Sequence, residues 1–443
     1  MNDHKILRAL AWCLRTGSTL LFALWTLTIT GCNNPLEVDE NPNSVLEEDL
    51  DDPAAAPSIV SGSLGTAAKG ISYALAPYTT ATDEGRWRGS RDAWNQLDRG
   101  NLSDFNNEFV DASWPFITEA RYSTDKAIER VAKFKANAVG TPDANKFDKL
   151  LIRAYVYSAL MRVTIADMFD DFVISDKKEP GQAIGSTNMS RLYDEAIANL
   201  DKALVINQLS HNKDAELNRF IYGMLARAKH AKAVWLLLNP PGQTLTNRYV
   251  NAGTDDATAA LAIMAKDYRW QLTYSSSLLF YNEWSYEVNS RGELDVISAI
   301  KDPFDNVDDP RILAETADFK DKTKYGGDRY SPFTVISERE MQLILAEAAV
   351  AAGNNQGALD ILNPLRARNT LKPVTDVAQA GALLQHERRA NLFMMGRRLA
   401  DMYRFGITVA SWVPTSDAIT RPGTFFPITI SERRANPNLT GGR

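Results

Sequence analysis

Residues 338–368 read EREMQLILAEAAVAAGNNQGALDILNPLRAR, and this stretch decides the fold. Apolar residues recur in it at spacings of three and four, the period of an amphipathic helix. A break at Gly353-Asn354-Asn355 divides the pattern into two helices, predicted at 338–352 and 356–369. The apolar positions are Met341, Ile344, Leu345, Ala348, Ala352, Ala358, Ile361, Leu362 and Leu365. The stretch therefore predicts a helix–turn–helix pair, with alanines small enough for close helix approach.

The same spacing predicts two further helix pairs upstream, at 116–136 with 148–169 and at 190–206 with 216–238. Pairs of this size with small residues at the contact resemble degenerate tetratricopeptide repeats. A generic helical bundle without repeat ancestry is the alternative. We predict a mainly α fold built from tetratricopeptide-like helix pairs.

Long stretches without helical periodicity lie between the predicted helices. Loops of this length are usually functional or disordered, and these contain many of the aromatic residues of the chain. We therefore expect the helices to form a scaffold and the loops, mainly about 76–112 and 239–335, to form a binding surface. The non-periodic stretches are 76–112, 239–256, 270–335 and 406–443.

The N-terminus has the pattern of an export signal. Three cations (Lys5, Arg8 and Arg15) precede an apolar run at 19–30, which is short for a transmembrane helix. The run closes at Gly31-Cys32, and Ile29-Thr30-Gly31-Cys32 resembles a bacterial lipobox; an ordinary signal peptide with a chance cysteine is the alternative. We predict a lipoprotein signal peptide at 1–31, acylation of Cys32, a flexible tether at 32–52, and one helical domain at 53–443.

Charge and cysteine content exclude several classes of function. Removal of residues 1–31, with three cations and one aspartate, changes the formal charge from −6 to about −8, which argues against nucleic acid as a partner. The two cysteines are Cys13, removed with the signal, and Cys32. The mature body is therefore predicted to lack thiols, disulfides and zinc–thiolate sites.

Catalytic motifs are missing from the sequence. Beyond the signal segment the histidines are His211, His230 and His386, without metal-ligand spacing, and no nucleophile elbow, phosphate loop or dinucleotide fingerprint is present. The acidic run 305–309 could bind calcium, but it lacks the glycine and terminal glutamate of an EF-hand loop, and a solvated turn is favoured. We expect no enzyme activity, no cofactor and no metal.

The charged segment from Glu387 to Arg404 contains two stripes at helical spacing. Its apolar stripe is Leu392, Met395, Leu399 and Met402, and its charged stripe is Arg397, Asp401 and Arg404. The charged stripe could bind an anion. A buried ion network that fixes the helix to its neighbours is the favoured interpretation.

Loop aromatics are the best candidates for ligand contact. A pyranose ring can lay its C–H face on an indole or phenol ring while its hydroxyls bond to Asp, Asn and Arg side chains. Core anchoring of the loops is the alternative for each aromatic residue. The predicted ligand-binding residues are Asp83, Arg86, Trp87, Trp94, Asn95, Tyr281 and Trp284.

Over nearly its whole length the chain resembles the RagB/SusD family of outer-membrane nutrient-binding lipoproteins. The segments that carry the resemblance are the Asn-Pro tether at 36–43, helices at 189–204 and 224–236, the stretch 340–368, Phe426-Pro427-Ile428 with Glu432, and Asn436-Pro437-Asn438. The residues similar to the family's structural signature are Glu347, Arg366, Arg368, Glu387, Arg388, Arg397, Asp401 and Arg404.

The resemblance implies a right-handed superhelix of helix pairs with a loop-rich variable half. It also implies a cell-surface, outer-membrane lipoprotein that binds oligosaccharides, or peptides, without cleaving them and delivers them to a SusC-like TonB-dependent transporter. An envelope interaction scaffold without a small ligand is the alternative function. Asn391, where the family often has Glu, and the turn at 168–172 depart from the family pattern.

Overall fold

Helices make up most of the chain in the computed structural model, which describes residues 49–141, 144–176, 179–209, 213–276 and 281–439. The prediction of a mainly α fold is confirmed. The predicted signal peptide, Cys32 and the tether up to residue 48 lie outside the described residues. Within the described part of the chain, no helix is both long and apolar enough to cross a membrane.

The first half of the chain is dominated by long helices. Its elements are α1 (Ala56–Thr80), β1 (Gly85–Trp87), α2 (Asp92–Asp98), α3 (Glu108–Asn137), α4 (Asp148–Met168), α5 (Arg191–Leu209), α6 (Ala215–Leu238) and α7 (Thr254–Leu261). Single 3-10 turns lie at Asp49–Asp51, Pro53–Ala55, Ala144–Phe147 and Ser186–Asn188.

The second half mixes short strands with shorter helices. Its elements are β2 (Arg269–Leu272), α8 (Glu283–Tyr286), a π-helical turn (Glu287–Arg291), β3 (Leu294–Val296), α9 (Pro310–Lys320), β4 (Phe333–Ser337), α10 (Glu338–Ala351), α11 (Asn355–Ala367), a 3-10 turn (Val377–Gln379), α12 (Ala380–Asn391), α13 (Arg398–Phe405), α14 (Asp417–Thr420) and α15 (Ile430–Ala435).

All three predicted helix pairs are present. Helices α3 and α4, α5 and α6, and α10 and α11 pack against each other within each pair. Polar residues fix where these helices begin: Asn107, Asp214, Ser337 and Asn354 each accept hydrogen bonds from backbone N–H groups in the first turn. The handedness of the superhelix stays a prediction.

Helix α1 was not predicted, and the predicted loop 76–112 begins inside it. Its sequence is rich in Ala, Gly and Ser, so its apolar periodicity is weak. The same small residues allow α1 to lie very close to α3. A Cβ atom on Gly70 would come within 2.7 Å of the Phe116 carbonyl oxygen. Close backbone packing and buried apolar side chains, among them Ile71, Leu75 and Tyr78, together hold α1 in the core.

The segment from Glu387 to Arg404 is not one helix, which corrects the sequence interpretation. Helix α12 ends at Asn391, and α13 begins at Arg398. Met394 (φ 57°) and Gly396 (φ 70°) have left-handed backbone conformations, which end a right-handed helix. The four apolar stripe residues are nevertheless all buried.

Two small antiparallel ribbons organise the loop-rich half. Strands β1 and β3 pair with Arg86 opposite Asp295, and β2 and β4 pair with a register shift at Trp270/Gln271. The residues from Asp52 to Arg443 form one compact unit. Its main apolar core runs from α1 to α7 and under both ribbons, and a second cluster lies between α10, α11 and α12.

Candidate functional site

The first of two ion networks at the C-terminal signature surrounds Glu347, whose side chain is fully buried. Its carboxylate accepts hydrogen bonds from Arg404 Nη2 (3.0 Å), His230 Nε2 (2.9 Å) and the backbone N–H of Val250 (3.0 Å). Asp401 bonds to both Arg404 and Arg388. Burial opposes ionisation of Glu347, but Arg404 and His230 hold the pKa of its carboxyl well below the usual range. Two arginines and two carboxylates therefore form a neutral, buried unit that joins α10, α12 and α13.

A second buried network joins α9, α11 and α12. Its residues are Asp302, Asp309, Arg311, Arg366, His386 and Glu387. One potential metal-ligand atom from each of Asp302, Asp309 and His386 lies within 4.8 Å of the other two, close enough for a shared metal ion. Arg366 donates to Asp302 (2.6 Å) and Arg311 to Asp309 (2.7 Å), so arginines already neutralise both carboxylates. We therefore interpret these six residues as a structural ion network and not as a metal site.

The remaining signature residues are paired as well. Arg397 contacts Glu340 (3.0 Å) and the Val335 carbonyl (2.7 Å). Arg368 donates to both Glu338 oxygens, at 2.7 and 3.0 Å. The charges of the C-terminal signature thus tie helices to one another in this structure.

Three of the predicted ligand-binding residues are buried. Asp83 is 6% exposed and forms a bidentate ion pair with Arg398 (2.6 and 2.8 Å) and a contact with Arg389 (2.7 Å). Trp94 and Trp284 are each 1% exposed. In this conformation no ligand can reach these side chains from solvent, so their expected role is corrected to loop anchoring.

Arg86, Trp87 and Asn95 remain partly accessible. Residues alternate across the β1–β3 ribbon, so Trp87 faces the core beside Leu294 while Arg86 and Asp295 face outward. The Trp87 indole nitrogen is buried, whereas Arg86 is exposed. Trp87 can offer only part of its ring to a ligand, and the contact of these three residues with a ligand stays a prediction.

The two segments that carried the prediction are joined in space. The ring of Trp284 lies under Gly85, where a Cβ atom would come within 2.8 Å of it. Glu293, just before β3, accepts hydrogen bonds from the backbone N–H groups of Ser90 and Arg91. The chain segments 83–95 and 281–296 therefore form one side of the loop-rich half.

A row of four half-buried aromatic rings lies next to these segments, and we call it the aromatic strip: Phe116, Tyr73, Tyr281 and Tyr286. The ring centroids of Phe116 and Tyr73 are 4.3 Å apart, and those of Tyr281 and Tyr286 are 4.9 Å apart. A hydrogen bond between the Tyr73 and Tyr281 side chains connects the two halves. Helices α1 and α3, the turn before α8 and the last residue of α8 thus supply one continuous aromatic surface.

Charged groups flank the aromatic strip. The Arg329 guanidinium lies over Tyr286 and Tyr281, at 4.7 and 5.5 Å from their centroids, and Lys69 Nζ lies 4.0 Å from the Phe116 centroid. The carboxyl of Glu283 interacts with the Tyr73 and Tyr281 hydroxyls, but its buried Oε2 atom has no hydrogen-bond partner among the described residues. Burial, with repulsion from Glu287, raises the pKa of Glu283 to about 7.

Sequence reasoning found Tyr281 but missed Tyr73, Phe116 and Arg329. Tyr73 lies in α1, which was not predicted, and Phe116 lies at a position predicted as ordinary helix. Arg329, which flanks the aromatic strip, lies at least 43 positions along the sequence from any residue of the strip. No local signal connects these positions, because the packing of α1 against α3 brings them together.

The C-terminal part of the chain matches a known family. Residues 316–441 match the model of the SusD family, and this region contains most of the ion-network residues described above. No curated protein has significant sequence similarity to the chain.

Solved structures share the fold over most of the chain. A SusD superfamily protein from Bacteroides thetaiotaomicron is 13% identical, with a TM-score of 0.61 over 87% of this chain and 98% of that one. A SusD-like carbohydrate binding protein from Bacteroides vulgatus is 15% identical, with a TM-score of 0.59 over 87% and 97%. A laminarin binding SusD-like protein is 14% identical, with a TM-score of 0.51 over 87% and 99%. The predicted resemblance to the SusD family is confirmed, and the chain has the SusD-like fold.

Proposed function

We propose that this SusD-like chain is a non-catalytic carbohydrate-binding lipoprotein that captures an oligosaccharide on the aromatic strip. The observation that carries the proposal is the strip itself, in which four half-buried rings lie in a row on one surface. The SusD-like fold supports it, since solved proteins with this fold include a laminarin binding and a carbohydrate binding protein.

The chemistry of the strip suits a sugar chain. The C–H faces of pyranose rings would lie on Tyr73, Tyr281 and Phe116, so that successive residues of one sugar chain would share the row. The hydroxyls would bond to the tyrosine hydroxyl oxygens and to the Arg329 guanidinium, which lies over Tyr281 and Tyr286.

Capture without cleavage is part of the proposal. The sequence contains no nucleophile elbow, phosphate loop or dinucleotide fingerprint. Glu287, the carboxylate that repels Glu283, is 2% exposed and lies 3.6 Å from Arg291. A buried, paired carboxylate is poorly placed to attack a sugar or activate water.

The finer proposal concerns location and partner. Acylation of Cys32 after removal of residues 1–31 would anchor the protein in the outer membrane at the cell surface. The captured oligosaccharide, or a peptide, would pass to a SusC-like TonB-dependent transporter. The signal pattern of the N-terminus and the resemblance to the SusD family support this part.

Isothermal titration of the full chain in detergent against a panel of soluble polysaccharides tests the ligand proposal. Tyr281→Ala removes one of the two inner rings of the strip, and Tyr73→Ala removes the other. Aromatic contacts contribute about 0.5–1.5 kcal/mol each, so each variant should weaken binding about 2- to 10-fold. Tyr155→Ala is the matched control, because Tyr155 is a half-buried tyrosine on α4 outside the strip.

Three results would contradict the proposal. Equal affinities of the Tyr281→Ala and Tyr155→Ala proteins would remove the strip as the site. Release of shorter sugars from any bound polysaccharide would make the protein an enzyme. Stable co-purification with envelope proteins, together with no saccharide affinity across the panel, would favour the interaction scaffold.

A further inference from the structure

A second feature of the loop-rich half is a polar cleft that the proposed function does not use. Two cavities of ≈ 180 Å³ each lie side by side between the β2–β4 ribbon, α9 and the loop 392–397. We call them together the ion-bridged cleft, because the Arg269–Glu315 ion pair lines both and spans the space between them. The residues shared by the two cavities are Arg269, Glu315, Thr334, Phe393 and Met395.

Backbone irregularities shape two walls of the cleft. The register of β2 against β4 shifts between Trp270 and Gln271, and Gln271 lines the cleft. Met394, also in the lining, has a left-handed backbone at φ 57°, which is costly for a residue with a side chain. Strand bulges and strained residues of this kind concentrate at binding sites, where they aim side chains that regular structure would turn away.

The charged side chains of the cleft already have charged partners within the protein. Arg269 pairs with Glu315, Arg339 with Asp267, and Asp318 with Lys324. Arg311, in the wall of one cavity, pairs with Asp309 and Glu387. The lining therefore has no unbalanced charge to attract an ion, and it favours a neutral ligand.

The rest of the lining combines hydrogen-bonding groups with aromatic faces. The exposed Gln271 side chain lies there and donates to Thr334 Oγ1 at 3.0 Å, and Tyr325 also lines the cleft. Phe319, Phe333 and Phe393 supply apolar surface beside them.

We propose that the ion-bridged cleft is a second binding site, for a neutral polyhydroxy group the size of one sugar ring. Each cavity is several times larger than the ≈ 30 Å³ that a water molecule occupies in the liquid. A sugar ring offers hydroxyls for Gln271, Thr334 and Tyr325 and C–H groups for the phenylalanines. The site is separate from the aromatic strip, so it goes beyond the proposed function and does not depend on it.

Saturation-transfer NMR on the full chain with glucose, galactose, mannose and N-acetylglucosamine as probes tests the site. Ala314 is an exposed residue of α9 that lines the cleft, so Ala314→Trp should block it without disturbing the core. Ala317→Trp, also exposed on α9 but outside the lining, is the matched control. We expect saturable binding of at least one probe, retained in Ala317→Trp and weakened on the order of tenfold in Ala314→Trp. Gln271→Ala should also weaken binding, by a few-fold, through loss of one hydrogen-bonding side chain.

Either of two results would overturn the proposal. Absence of saturable binding by all four sugars would leave the cleft filled by water alone. Binding that Ala314→Trp and Gln271→Ala leave unchanged would place the monosaccharide elsewhere. Tyr281→Ala separates the two sites, because it should weaken oligosaccharide binding at the strip and leave monosaccharide binding at the cleft unchanged.

Discussion

Replacement of Glu347 by Gln should destabilise the protein more than any surface ion pair can. Glu347 is fully buried and accepts hydrogen bonds from Arg404, His230 and the Val250 N–H. Glutamine keeps the shape but removes the negative charge, so Arg388 and Arg404 would share the single carboxylate of Asp401. Burial lowers the pKa of His230 and keeps it neutral, so its ring adds no further positive charge.

The expected cost follows from the excess positive charge left inside. Breaking a buried ion pair by removing one partner costs about 3–5 kcal/mol. For a chain of this length, about 1–2 °C of Tm is lost per kcal/mol, so the Tm should fall by about 3–10 °C. Differential scanning calorimetry of the full chain at neutral pH measures the shift.

A matched control and a double variant separate charge from other effects. Glu129→Gln breaks an exposed pair with Lys126 on α3 and should cost less than about 0.5 kcal/mol. Arg404→Met added to Glu347→Gln restores charge balance, so the double variant should be less destabilised than the sum of the single variants, by about 1–3 kcal/mol. A Glu347→Gln protein as stable as Glu129→Gln would refute the account of the network.

Three further predictions concern Asp83, Glu84 and Gly253. Asp83→Asn should lower the free energy of unfolding by about 3–5 kcal/mol, because the ion pairs with Arg398 and Arg389 are lost, and it should leave polysaccharide affinity unchanged. A large loss of affinity at unchanged Tm would contradict the structural role of Asp83. Burial, with repulsion from Asp83, raises the pKa of Glu84 to about 8, so the folded state holds a proton that the unfolded chain releases. The Tm should therefore fall as pH rises from about 5 to 8. Glu84→Gln should flatten that fall. Gly253→Ala should lower Tm, because Gly253 has φ 80° and a Cβ would come within 2.4 Å of the Ala226 carbonyl oxygen; Gly62→Ala in α1, with open space around it, should leave Tm equal or higher.

The helix pairs were predictable because their signal is local. The apolar period and the Gly353 turn at 338–369 specify two helices and their connection without reference to the rest of the chain. Helix α1 carries only a weak signal, because many of its positions are alanines, glycines and serines that allow close contact with α3. The break at Met394 and Gly396 was hidden by an apolar spacing that happens to continue across it.

The candidate site was predictable only in part. Trp94 and Trp284 lie among polar neighbours in stretches predicted as loops. An indole in a loop can anchor the core as readily as it can bind a sugar. Tyr73 looked like a helix residue, and its proximity to Tyr281 arises from a contact between positions 208 residues apart. Long-range packing decides which aromatic rings reach the surface, and no local spacing encodes it.

The most direct test of the central claim is a crystal structure of the chain with a bound fragment of whichever polysaccharide the titration panel identifies. The account predicts sugar rings stacked on Tyr73 and Tyr281, with hydroxyls within hydrogen-bond distance of Arg329. An oligosaccharide bound elsewhere on the protein, with the aromatic strip unoccupied, would contradict it.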